Sequence, residues 1–169
     1  MSVLLLGDSH LARFRAYDRL IGRNCTVRAV GGAVASDLLD QLGDLDPGTF
    51  DVIAVSVGSN DCCRSTPNEL PAFLSSIQAL VERVAPTPVL MVASPGVDAR
   101  ATDHDDDKMR HFATQASALV RSRGGRALDT RKVIAPLGRR GRAADGLHIS
   151  KVAHLLLVPA LRVGIRRTS

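Results

Sequence analysis

Val3-Leu4-Leu5-Leu6-Gly7-Asp8-Ser9 decides the fold: four consecutive large apolar residues, then a glycine, then two residues suited to capping a helix. A run that is apolar without alternation marks a strand buried on both faces, as in a parallel sheet. The pattern recurs along the chain. Val52 to Val57 and Val89 to Ala93 are nearly continuously apolar and rich in Val, Cys25 to Val30 also reads as a strand, and Arg126 to Leu128 forms a weaker fifth. Between them lie stretches with helical spacing, about Ser9 to Ile21, Ala35 to Leu42, Pro67 to Ala85, Asp105 to Arg123 and Ser150 to Val163. Thr66, Pro67 and Glu69 predict the start of the third helix, as N-cap, first helical residue and capping-box partner; Pro86 and Pro88 predict its end. This alternation predicts an α/β fold, a flavodoxin-like doubly wound sheet of about five parallel strands with helices on both faces.

A chain of 169 residues with 45% hydrophobic residues can bury one substantial core but not two, so residues 1–169 are expected to form a single domain. No basic residue precedes the first apolar run, which is far shorter than the roughly 20 residues of a membrane span, so it is expected to be a core strand of a cytoplasmic protein with no membrane partner. Cys25, Cys62 and Cys63 are odd in number and lack zinc-ligand spacing, and are expected to be free thiols. A net charge of +5 raises the question of nucleic acid, but aromatic residues make up only 3% of the chain and offer few stacking platforms. The arginines are dispersed except for Arg139, Arg140, Arg142 and the pair Arg166-Arg167, so the expectation is a modest preference for anionic ligands, with no nucleic-acid partner. In Asp103-His104-Asp105-Asp106-Asp107, the acidic residues complement the dipole of the helix that follows, and no metal site is expected there.

An open parallel sheet binds ligands outside the carboxyl ends of its strands. Gly7-Asp8-Ser9 follows the first strand, Gly31-Gly32 the second, and Gly58-Ser59-Asn60-Asp61 the third, so neighbouring strands would bring three loops to one cleft. Each motif has a plain structural reading as well. Ser9 before a helix reads as a cap, yet Asp8 can cap while Ser9 points its hydroxyl into the cleft. Gly31-Gly32 reads as a turn, or as backbone N–H groups free to approach a substrate oxygen. The Asn60 amide either organises its loop or donates to an oxyanion, with Asp61 as an anchor behind it. Near the C-terminus, Asp145 and His148 are spaced so that a carboxylate in a tight turn can hold an imidazole in one tautomer. His10, His104, His111 and His154 have no such setting and read as surface or packing residues.

Taken together, the four blocks resemble the SGNH subgroup of the GDSL hydrolases, from Gly7 to His148. The resemblance implies that Ser9 is a nucleophile, Gly32 and Asn60 form an oxyanion hole with the Ser9 N–H, and Asp145 and His148 are the acid and base. It further implies hydrolysis of small-molecule esters, short-chain acyl, acetyl or thioester, through an acyl-enzyme intermediate, with no metal or organic cofactor. The chain is expected to act as a monomer with an open, shallow cleft, since little sequence remains for a lid. Two departures stand out: the first block ends in His10 rather than leucine, and the glycine block from Ala29 to Ser36 lacks the polar residues usual around it. Two other uses of the same scaffold are an acyltransferase with the same triad and a non-catalytic ligand-binding module. A receiver-like signalling module fits less well, because Gly58 stands where its phosphoacceptor aspartate would be.

Overall fold

The computed structural model describes residues 1–65 and 67–169. Its centre is a five-stranded sheet of β1 (Ser2–Gly7), β2 (Asn24–Val27), β3 (Val52–Ser56), β4 (Val89–Ala93) and β5 (Arg126–Asp129). The spatial order is β2-β1-β3-β4-β5 and every pair is parallel, which is the flavodoxin-like order expected from the sequence. The central strands β1, β3 and β4 are the most apolar and the most buried. At the edges, β2 and β5 are partly exposed, which explains their polar residues Asn24, Arg126 and Asp129.

The helices are α1 (Ser9–Ala12), α2 (Asp18–Ile21), α3 (Leu38–Leu42), α4 (Leu70–Val84), α5 (Asp106–Ser122), α6 (Thr130–Ile134) and α7 (Lys151–Thr168). Successive residues of β1 point to opposite faces and divide the core in two. Leu4 and Leu6 pack with Leu38 of α3, Phe73 and Leu80 of α4 and Phe112 of α5. On the other face, Val3 and Leu5 pack with Leu11 of α1, Ile21 of α2, and Leu157 and Leu161 of α7. Among the described residues, no helix is long and apolar enough to cross a membrane.

Several boundaries differ from the sequence expectation. The stretch from Ser9 to Ile21 is not one helix: a 3-10 segment, Arg13–Tyr17, separates α1 from α2, and Tyr17 at φ −130° and ψ 12° interrupts the helical path. The stretch from Ala35 to Leu42 likewise begins as a 3-10 turn, Ala35–Asp37. α4 starts at Leu70, so the proline in its first turn is Pro71 rather than Pro67, and Glu69 occupies the N-cap position without a side-chain capping bond. The expected N-cap, Thr66, lies outside the described residues. α7 runs past Val163 to Thr168 because its buried face continues through Leu161 to Ile165. α6 was not anticipated; Asp129 caps it by accepting the Lys132 N–H at 3.2 Å.

Where β1 ends, its neighbour β3 comes very close. Gly7 has a φ of +123°, and a Cβ built on it would lie 1.8 Å from the Ser56 carbonyl oxygen. Only glycine fits this contact. The same residue is gripped from the other side by Gln41: the Gly7 N–H donates to Gln41 Oε1 at 2.6 Å, and Gln41 Nε2 donates to the Gly7 carbonyl at 2.9 Å. Gly32 provides a contrast, since its φ is +84° but a Cβ would meet nothing within 4 Å. Gly7→Ala is therefore expected to lower the unfolding free energy by at least about 3 kcal/mol, whereas Gly32→Ala costs about 1 kcal/mol from φ alone. Denaturant titration of both variants checks this, and equal losses would contradict it.

Candidate active site

The order of the sheet places β1 between β2 and β3, so the loops that follow these strands meet at one edge. At the end of β1 the Asp8 N–H donates to the Ser56 carbonyl at 2.8 Å, tying the turn to β3. The Asp8 carboxylate then caps α1, accepting the His10 N–H at 2.9 Å. With the cap supplied by Asp8, Ser9 is free to turn its hydroxyl outward. Its Oγ lies 3.0 Å from Nε2 of His148, a residue 139 positions away in sequence.

His148 sits in a turn just ahead of α7. Its Nδ1 is 2.6 Å from Asp145 Oδ2, while Asp145 Oδ1 accepts the backbone N–H groups of Leu147 at 3.0 Å and His148 at 2.9 Å. Partial burial works against the charge on Asp145, but the bonds from the His148 ring and the two N–H groups overcome it and hold the carboxyl down at about 2. An ionised carboxylate only accepts hydrogen bonds. The Nδ1 of a neutral His148 therefore carries the proton, and the lone pair on Nε2 faces the Ser9 hydroxyl.

Asn60 and the glycine pair complete this edge. Gly31 lies against Ser9, where an added Cβ would be 3.9 Å from the Ser9 Cβ. Asn60 Nδ2 donates one hydrogen bond, at 2.8 Å, to the Ala33 carbonyl just past Gly32, and its second amide hydrogen has no acceptor among the described residues. Beneath them, buried Asp61 accepts the N–H groups of Ala35 at 3.0 Å and Gly58 at 2.9 Å, and the Asn68 amide at 2.9 Å. It is the anchor expected from the sequence, tying the glycine loop to the loop after β3.

A hollow of about 570 Å³ opens beside Gly31 and Gly32, between Arg28, Val30, Asp40 and Gln41. Gly31, Gly32 and Asp145 are exposed, and Ser9 and His148 are half-buried, so solvent reaches the site. A larger groove of about 860 Å³ runs along β5 and the C-terminal half of α7, but it contains none of these residues. Elsewhere, Asp105 caps α5 through the Lys108 N–H at 2.9 Å, and Asp106 pairs with Arg131 at 2.8 Å. All three cysteines are free thiols. Gln41 gave no signal in the sequence, because its partner is a backbone group 34 residues away.

His10 is the residue whose setting departs most from its neighbours. It is 4% exposed, neither ring nitrogen has a hydrogen-bond partner among the described residues, and its ring centroid is 5.9 Å from that of His148. Burial, reinforced by the fields of His148 and Arg142, pushes its pKa from 6.5 down to about 3. Burial also pushes adjacent Asp8 up from 3.8 to about 7, against the hydrogen bond from the His10 N–H.

These two groups bias stability in opposite directions. Because His10 is depressed, its stabilisation is present above 6.5 and is lost as pH falls toward about 3. Because Asp8 is raised, the folded state takes up a proton below about 7 that the unfolded chain does not take until 3.8, which favours folding as pH falls. In His10→Leu only the Asp8 effect remains. Relative to this variant, the wild type is expected to lose roughly 1.4 kcal/mol of stability per pH unit between about pH 6 and pH 4. Denaturant titrations across that range check it, and parallel stability curves would contradict it.

Residues 5–156 match the model of the GDSL-like lipase/acylhydrolase family. Among curated proteins, none matches the sequence significantly. Similar solved structures include a lipase/acylhydrolase from Enterococcus faecalis, at 19% identity and a TM-score of 0.86 over 100% of this chain and 98% of that one. An acetylxylan esterase from Geobacillus stearothermophilus matches at 18% identity and a TM-score of 0.76, over 97% of this chain and 93% of its own. A GDSL-like lipase from Bacteroides thetaiotaomicron matches at 13% identity and a TM-score of 0.80, over 99% of this chain and 89% of its own. The structural likenesses concern the fold, which is that of the SGNH hydrolases, and the family match covers both the Ser9 turn and the Asp145–His148 turn: the chain belongs to the GDSL-like lipase/acylhydrolase family.

Proposed function

We propose that the chain is a serine hydrolase of small-molecule esters, with Ser9, His148 and Asp145 as its triad and the whole of residues 1–169 as its single domain. The observation that carries this reading is the unbroken series of contacts from Asp145 Oδ2 to His148 Nδ1 at 2.6 Å and from His148 Nε2 to Ser9 Oγ at 3.0 Å. His148 takes the Ser9 proton as Oγ attacks the carbonyl carbon, and Asp145 stabilises the imidazolium that forms. The oxyanion is held by the Ser9 and Gly32 N–H groups and the unused amide hydrogen of Asn60. His148 then protonates the departing alcohol, and water, activated by the same imidazole, releases the acyl group. Every proton moves between Ser9, His148, substrate and water, so the cycle uses no metal or organic cofactor. Because solvent reaches the site, short acyl or acetyl groups, on oxygen or sulfur, are the substrates this reading favours.

A panel of chromogenic esters of graded chain length, with Ser9→Ala as control, tests the activity. Turnover is expected for the shortest acyl chains and is expected to vanish in the alanine variant; turnover by folded Ser9→Ala would overturn the assignment. His148→Ala is expected to lose nearly all turnover.

Asn60→Ala tests the oxyanion hole without removing nucleophile or base. It is expected to lower kcat by about 10²- to 10³-fold with little change in KM, because charge on the substrate oxygen develops in the transition state. If Asn60 serves only to organise its loop through the Ala33 carbonyl, the variant will instead show a lower melting temperature and a near-normal kcat per folded molecule. Measuring both on one preparation separates the two outcomes.

A further inference from the structure

The turn that carries Asp145 and His148 is closed by backbone pairing: Ser150 N–H donates to Gly141 O at 3.0 Å, Ala143 N–H to His148 O at 2.8 Å, and Arg142 bridges to Ile149. Its tip is fixed to the loop after β4, because the Asp98 N–H donates to the Gly146 carbonyl at 3.0 Å. The second attachment is the side chain of Arg142. This guanidinium is half-buried, and among the described residues its hydrogen bonds go to carbonyl oxygens. Nη1 donates to Leu147 O at 3.3 Å and to Gly96 O, and Nη2 donates to Pro95 O. Burial disfavours its charge and moves its pKa below the ordinary value, so this cation is held at a cost.

The loop after β4 is a firm place to attach. The Val97 N–H donates to Asp106 Oδ1 at 2.8 Å, and Asp106 is itself held by two bonds from Arg131, at 2.8 and 2.9 Å. Arg131 lies directly over Gly96, leaving no room for a side chain there. The first turn of α5, α6, the loop after β4 and the His148 turn are thus connected through two guanidinium groups.

We propose that Arg142 is a positioning residue for His148: its planar fork joins Pro95 and Gly96 to Leu147, holding the His148 turn at the distance where Nε2 meets Ser9 Oγ. The peptide it grips is the one immediately before His148. A lysine carries the charge but not the fork, and cannot serve both loops in this geometry. The kinetic consequence rests on the serine-hydrolase reading above; the structural consequence does not.

The test compares Arg142→Met, Arg142→Lys and Arg142→Ala with wild type and His148→Ala. It reads kcat and KM on the best ester, the melting temperature, and the proton resonance of the His148 Nδ1–H bonded to Asp145. Arg142→Met and Arg142→Lys are expected to remain folded, with kcat about 10- to 100-fold lower and KM changed by less than about threefold, as for a small displacement of a reacting group. Their Nδ1–H resonance is expected to broaden or vanish. Ethylguanidinium is expected to restore part of the rate of Arg142→Ala, and ethylammonium to restore none. The proposal is overturned if kcat per folded molecule stays within about twofold of wild type with the resonance unchanged, if the rate only tracks the folded fraction, or if ethylammonium rescues equally well. Should wild type neither hydrolyse esters nor react with a fluorophosphonate, the hydrolase reading fails, and the resonance alone then decides whether Arg142 holds His148.

Discussion

At the end of β1 the backbone of Gly7 lies so close to Ser56 that a methyl group would sit 1.8 Å from the carbonyl oxygen. The rest of the site depends on this approach. It lets Asp8 bond to β3 and turn at once into α1, which leaves Ser9 as the first helical residue at the carboxyl edge of the sheet. Because β1 lies between β2 and β3, the glycine loop falls on one side of Ser9 and the Asn60 loop on the other. Asp61 ties those two loops together, and Gln41 holds the Gly7 peptide in place. His148 then arrives from the far end of the chain, carried by a turn whose position is set by contacts with the loop after β4.

The edge that carries Ser9 also holds groups that folding alone would disfavour. Asp8 and His10 are buried, and among the described residues one Asp8 oxygen and both His10 ring nitrogens have no hydrogen-bond partner. Each unmet polar group of this kind costs about 1–3 kcal/mol. Their pKa values, about 7 and about 3, move in opposite directions from the ordinary ones, so both groups favour their uncharged forms beside the proposed catalytic imidazole. Asp145 differs from both: it is exposed, and the hydrogen bonds from the His148 ring and from the His148 and Leu147 N–H groups overcome partial burial and keep it ionised.

Much of this was legible in the sequence because it is local. The apolar runs of β1, β3 and β4 mark buried strands whatever surrounds them, and Gly7-Asp8-Ser9, Gly58-Ser59-Asn60-Asp61 and Asp145 to His148 are each contained within one turn. Boundaries set by tertiary packing were not legible. The Ser9 to Ile21 stretch has helical spacing, but it bends through a 3-10 segment that buries Phe14. α4 begins at Leu70, where Pro71 rather than Pro67 stands in the first turn. Gln41 and the setting of His10 were invisible for a related reason: the partner of the first is a distant peptide, and the environment of the second is made by α7 and His148.

The central claim is that Ser9 becomes acylated during turnover. Mass spectrometry of protein quenched while it consumes an activated acetyl ester tests this directly. A gain of one acetyl group on the peptide that carries Ser9, absent from both Ser9→Ala and His148→Ala, is the predicted result. Ester turnover with no acyl adduct, or with the adduct on another residue such as Cys63, would contradict it.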